Sequence, residues 1–174
     1  MSKISYDLQH LHGIAFDVDG VLSPSMVPLG TDGMPMRMVN IKDGYALQLA
    51  VKHGLHIAII TGADSPAIVE RFKGLGITDI FTKVSVKLPV FKQWMDSHNL
   101  LRDDVAYVGD DIPDYECMRY AGLSIAPADA AVELLEIARY VSPAEGGHGV
   151  ARDVVEQVMR ARNMWCNGET AFGW

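Results

Sequence analysis

Cysteine is nearly missing from this chain. Its 174 residues hold two, Cys117 and Cys166, too few for a disulfide framework and without the spacing of a metal-binding motif. Clusters of positive charge are missing as well. Only 15 Lys and Arg stand against 22 Asp and Glu, for a net charge of −7, so neither nucleic acid nor an anionic membrane surface is an expected partner. No apolar run reaches the roughly 18 residues that a membrane span needs, and no charged, apolar leader opens the sequence. These absences lead to the expectation of a cytoplasmic protein. Repeats and low-complexity tracts are absent too. With 49% apolar and 21% charged residues, a disordered chain is excluded, and the length suits one domain with one sizeable core.

What is present is an alternation of strand and helix. Short apolar runs at 13–18, 56–60, 77–82, 105–108, 123–126 and 140–141 read as strands. Helical patterns occupy 43–53, 66–75, 88–98, 113–121, 130–138 and 150–164. Asp43 is the expected cap of the first helix, and Pro66 opens the second. Alternation at this spacing predicts βαβ units, hence an α/β fold on a parallel sheet with right-handed crossovers. One segment breaks the rhythm. Residues 23–40 hold three prolines and the turn signal Thr31-Asp32-Gly33, and residues 26–27 and 36–39 are expected to pair as a hairpin. Its Met26, Met34, Met36 and Met38 read as packing at an interface. The tail, about 165–174, shows no period.

Two of the buried strands end in acids. Gly13 to Ser23 read GIAFDVDGVLS, so Asp17 and Asp19 arrive one residue apart where a buried run opens, and Gly20 allows an immediate turn. Val105 to Val108 run into Gly109-Asp110-Asp111, with Asp114 following. Ligands of parallel α/β sheets sit beyond the carboxyl ends of the strands. Thr61-Gly62 ends another strand, and Lys87 precedes a helix. Crowded carboxylates repel unless a cation intervenes, and hard oxygen ligands suit Mg²⁺. Lys87, Thr61 and free backbone N–H groups suit a phosphoryl group. The plainer readings stand beside these. Asp17 and Asp19 could be turn residues, the acids after residue 109 could be helix-terminal charges, Thr61 a cap, and Lys87 and Arg71 solvated side chains.

DVDGV at 17–21, Thr61, Lys87 and GDDIPD at 109–114 together resemble the haloacid dehalogenase superfamily of phosphotransferases. NIKDGYALQLA, AGLSIAPADA and EGGHGVARDVVE extend the likeness over nearly the whole chain, to the cap-less branch of 3-deoxy-D-manno-octulosonate 8-phosphate phosphatases. The resemblance implies a three-layer Rossmann-like fold with a central parallel sheet, a β-hairpin insert (about 23–40) after strand one and no cap domain. It implies a Mg²⁺-dependent phosphatase for a small phosphorylated sugar acid, on the route to lipopolysaccharide. In that reading Asp17 is the nucleophile and Asp19 the general acid/base. The side chains of Asp17 and Asp110, with the backbone carbonyl of Asp19, hold the metal. Thr61 and Lys87 bind the transferring phosphoryl group, while Gly62, Asp111, Asp114, Lys42 and Arg71 support the site or meet the sugar. The resemblance further implies a homotetramer in which a neighbouring subunit closes the site. The chain departs from the pattern at Ala63, where relatives often carry Arg, at Ser23-Pro24-Ser25, where they often have Thr-Asp-Gly, and before Lys87, where a Gly is usual. A nine-carbon keto-deoxy sugar phosphate is the competing substrate. A phosphorylatable receiver-like domain and an inactive subunit are the competing non-enzymes.

Overall fold

A computed structural model describes residues 2–167 and Gly173. Six parallel strands form one sheet: β1 (Gly13–Phe16), β2 (His56–Ile60), β3 (Asp79–Phe81), β4 (Val105–Val108), β5 (Leu123–Ala126) and β6 (Tyr140–Val141). Their order is β3-β2-β1-β4-β5-β6. From β1 the chain winds one way to β2 and β3, then crosses back to β4 and continues to β6. The switch in winding lies between β1 and β4, where such sheets open a crevice at their carboxyl ends. Every residue of β1, β4 and β5 is buried, as unbroken apolar runs require when helices cover both faces.

The helices α1 (Ile41–Lys52), α2 (Pro66–Lys73), α3 (Lys87–Ser97), α4 (Tyr115–Tyr120), α5 (Val132–Ile137) and α6 (Val150–Ala161) supply those covers. On one face, Val150, Val154, Val155 and Val158 form a stripe along α6 that shares a core with Ala46, Leu47 and Ala50 of α1. On the other, Phe91 and Trp94 of α3 pack with Tyr107 of β4 and Met118 of α4, the Phe91 and Tyr107 rings meeting edge to face at 5.0 Å. Burying side chains of this size contributes about 1.5–3 kcal/mol each.

Three sequence expectations need correction. The cap of α1 is Asn40, whose side chain accepts from the Lys42 and Asp43 N–H groups. Asp43 is instead buried within the first turn, where its Oδ1 accepts the Arg152 N–H of α6 at 2.7 Å. The insert makes no strand ladder over 26–27 and 36–39. Its arms meet at a single antiparallel bridge, Leu29 to Pro35, flanked by Gly30 N–H to the Met34 carbonyl at 2.7 Å and Met36 N–H to the Pro28 carbonyl at 2.8 Å. Pro28 and Pro35 have no N–H to give, so pairing cannot spread. The helix expected at 113–121 begins as a 3₁₀ turn over Ile112–Asp114. Of the tail, residues 168–172 and 174, with most of the AFGW ending, lie outside the described residues.

Candidate active site

The Asp17 N–H donates to the Val108 carbonyl at 3.0 Å. This bond extends the β1–β4 pairing by one residue and carries Asp17 to the mouth of the crevice. Gly20 then turns the chain with φ +83°. A β-carbon there would collide with the Asp110 carboxylate, and one at Gly146 would collide with the Gly20 carbonyl. The loop before α6 clasps this turn from behind, with the Gly147 N–H on the Val21 carbonyl at 2.8 Å.

Lys87, the first residue of α3, reaches across the crevice floor. Its Nζ lies 2.8 Å from Asp17 Oδ2 and 2.8 Å from Asp114 Oδ1. The Tyr107 hydroxyl donates to the same Asp114 oxygen at 2.8 Å, and the Asp110 N–H donates to Asp114 Oδ2 at 3.3 Å. Both Asp114 oxygens are thus engaged, which makes this residue an anchor for Lys87. Asp17 Oδ1 accepts the Val18 N–H at 2.7 Å. Asp110 Oδ1 is buried with no partner among the described residues.

Asp17, Asp110 and Asp114 each bring an oxygen within 4.8 Å of the others. One lysine cannot balance three carboxylates. Burial, reinforced by the Asp114 charge and opposed by Lys87, pushes Asp17 up to about 8. Burial, with Asp114 and Asp111 adding to it, pushes Asp110 up to about 7. Burial also works against the charge on Lys87, yet Asp17 and Asp114 hold its pKa above the ordinary lysine value. A surplus of desolvated acid with a carboxylate oxygen left over, unpartnered among the described residues, is the donor set of an all-oxygen divalent cation site, so these residues fit Mg²⁺.

Asp17, Asp19, Thr61, Gly62, Lys87, Asp110 and Asp111 all line one cavity of about 460 Å³. Thr61 is buried, and its Oγ1 accepts the Ala63 N–H at 3.1 Å, which leaves the hydroxyl hydrogen to donate. Two expected residues stand apart. Lys42 is exposed on the first turn of α1. Arg71 is only partly exposed, with a buried Nη2 that has no partner among the described residues, so a solvated face is not its role. It lines a larger neighbouring cavity of about 630 Å³ between α2 and the insert. The sequence reading gave no site role to Ser25 and Ser85, which also line the cavity of about 460 Å³. It also missed Arg37, which grips Asp19 through Nε to Oδ1 and Nη2 to Oδ2, each at 2.7 Å. A polar residue two before Lys87 was a usable signal for Ser85; nothing local marks Arg37.

Among the described residues, no helix is long and apolar enough to cross a membrane. Comparison with known proteins places residues 71–153 in a haloacid dehalogenase-like hydrolase family. The chain is 35% identical over 154 residues to the 3-deoxy-D-manno-octulosonate 8-phosphate phosphatase of Escherichia coli K12, covering 88% of this chain and 82% of that one. A crystal structure of the Yersinia pestis phosphatase of the same name superposes with a TM-score of 0.87 at 32% identity, over 91% of this chain and 85% of that one. The Moraxella catarrhalis phosphatase, solved with magnesium, phosphate and the free sugar acid (KDO), gives 0.85 at 30% identity and covers 90% of each chain.

Proposed function

The chain belongs to the haloacid dehalogenase-like hydrolases, within the family of 3-deoxy-D-manno-octulosonate 8-phosphate phosphatases, and from that membership we propose that it hydrolyses this phosphosugar to KDO and phosphate through an aspartyl-phosphate. The carrying observation is the convergence of Asp17, Lys87 and the orphaned Asp110 oxygen at the β1–β4 switch point.

The side chains of Asp17 and Asp110, with the backbone carbonyl of Asp19, would hold Mg²⁺, which when bound supplies charge neutralisation for the phosphoryl oxygens. Lys87 and Thr61 donate to those oxygens and hold the phosphorus in line with Asp17. The Asp17 carboxylate attacks phosphorus and the bond from phosphorus to the sugar oxygen breaks. Asp19 gives its proton to that oxygen as the sugar leaves. A water molecule then attacks the aspartyl-phosphate while Asp19 takes a proton from it. Phosphate departs and the Asp17 carboxylate is restored. Because Asp19 stands two residues from the nucleophile, the intermediate is short-lived, which argues against a signalling receiver.

The residues form one phosphatase domain with the insert at its mouth. The insert exposes Met26, Leu29, Met34, Met36 and Met38, an apolar face that supports a homotetramer in which a neighbouring subunit closes the cavity. The enzyme works in the cytoplasm, on the path to lipopolysaccharide precursors. Ala63 lines the catalytic cavity and offers no charge to a longer sugar tail, which favours the eight-carbon substrate over the nine-carbon one.

A panel of phosphosugars assayed by phosphate release, with and without EDTA, tests this. The eight-carbon acid should give the highest kcat/KM, and chelation should abolish turnover. A higher kcat/KM for the nine-carbon acid would reassign the substrate, and turnover that survives chelation would remove the metal from the mechanism.

A further inference from the structure

Two ion pairs bracket the catalytic cavity, and they differ in kind. In the Lys87–Asp17 pair the side chains are 5% and 11% exposed. In the Arg37–Asp19 pair they are 14% and 43% exposed. The first is fixed. The second opens to water on its Asp19 side, while the Arg37 side chain is largely covered.

Its position is also distinctive. Asp19 lines the catalytic cavity, whereas Arg37 lines the larger cavity beside it, so the pair stands on the seam between the two. That second cavity is walled by methionines, Ile68 and Phe72, with Arg37 and Arg71 as its cations. Arg37 engages Asp19 side-on, its Nε and Nη2 meeting both carboxylate oxygens. A guanidinium edge in this geometry fits a carboxylate bidentately, as it also fits a phosphate. With both of its oxygens accepting from Arg37, the Asp19 carboxylate is committed to the insert.

We propose that Arg37 is a positioning residue that exchanges carboxylates: it holds Asp19 while the site is empty and passes to the carboxylate of the arriving sugar acid, which frees Asp19 to act on the leaving oxygen. This rests on the phosphatase reading above and deepens it. Substrates with a carboxylate at the end remote from the phosphate are selected because they alone can relieve Asp19 of its partner.

The test compares the sugar acid 8-phosphate with its analogue in which the carboxylate is reduced to an alcohol. Wild-type protein should favour the acid. In Arg37→Ala the ratio of kcat/KM for acid over alcohol should fall about 10- to 100-fold, as expected for loss of a charge-assisted pair, with the acid's KM moving. Arg37→Lys, which keeps the charge without the side-on edge, should restore only part of the ratio. Should Arg37→Ala fail to fold, Arg37→Gln carries the same comparison. Calorimetry of wild-type protein with free KDO and with its reduced alcohol needs no variant, and KDO should bind more tightly. An unmoved ratio, or equal affinity for acid and alcohol, overturns the role of Arg37 alone. If wild-type protein releases phosphate from neither compound, the phosphatase reading fails and this one with it.

Discussion

The floor of the catalytic cavity and the insert that walls it are built in opposite ways. On the floor, both carboxylate oxygens of Asp114 are engaged, Lys87 is buried between two carboxylates, and Tyr107 closes the set from within β4. In the insert, one bridge and a few hydrogen bonds hold 18 residues together, and methionines face outward. The floor is tied to strands that cannot shift without breaking the sheet. The wall is tied to little. Attack on phosphorus requires groups held to fractions of an ångström, whereas admitting and releasing a sugar requires parts that yield. The protein separates the two demands by sequence, giving one to strand ends and the other to a proline-interrupted loop.

The sharpest way to break this contrast is at Asp17. Asp17→Asn should lower phosphate release by roughly 10⁴-fold or more while circular dichroism stays native; an active variant would take the nucleophile off the floor. Asp19→Asn should cost about 10²–10⁴-fold and lengthen the life of the aspartyl-phosphate, seen by rapid quench. Lys87→Met should remove about 3–5 kcal/mol of stability, because it leaves buried carboxylates uncompensated, and urea unfolding measures it. A wild-type-like midpoint would mean the floor is not rigid by virtue of its charges.

Acidity gives a further handle on the floor. Asp17 and Asp110, raised to about 8 and about 7 in the fold, bind protons more tightly than in the unfolded chain, where carboxyls titrate near ~4. The unfolded state then holds fewer protons, so metal-free stability falls as pH rises through both values. Bound Mg²⁺ needs the ionised acids. The gain in Tm on adding Mg²⁺ should therefore be larger at pH 8 than at pH 5; an equal gain at both would disprove the coupling. The smallest effect on folding is expected in the insert. Met36→Ser with Met38→Ser should shift stability by no more than about 0.5 kcal/mol yet shrink the proposed homotetramer in sedimentation. A large loss of folding stability would make the insert part of the core after all.

The same division governs what could be read before any coordinates. Apolar runs ending in acids exposed β1, β4, Asp17 and Asp110, because a strand buried on both faces leaves its signature in consecutive residues. Asn40 was passed over since Asp43 is an equally good cap by type, and only its contact with the Arg152 N–H, 109 positions away, shows that it serves another purpose. Tyr107 is one residue of an apolar run in the sequence; its hydroxyl matters only because the 3₁₀ turn over Ile112–Asp114 brings Asp114 to it. Arg37 was invisible for the deepest reason. It meets Asp19 through a loop without period, where no spacing rule relates residue 37 to residue 19.

Gly20 carries a last consequence. Three stretches of chain, near residues 20, 110 and 146, meet there so closely that even one methyl group has nowhere to go. A mutation as slight as glycine to alanine would leave every acid in the alphabet of the site and still spoil its spelling, since the carboxylate of Asp110 would have to move aside. A residue with no side chain is thereby required there, and silence at that position is what lets the neighbouring groups be heard together.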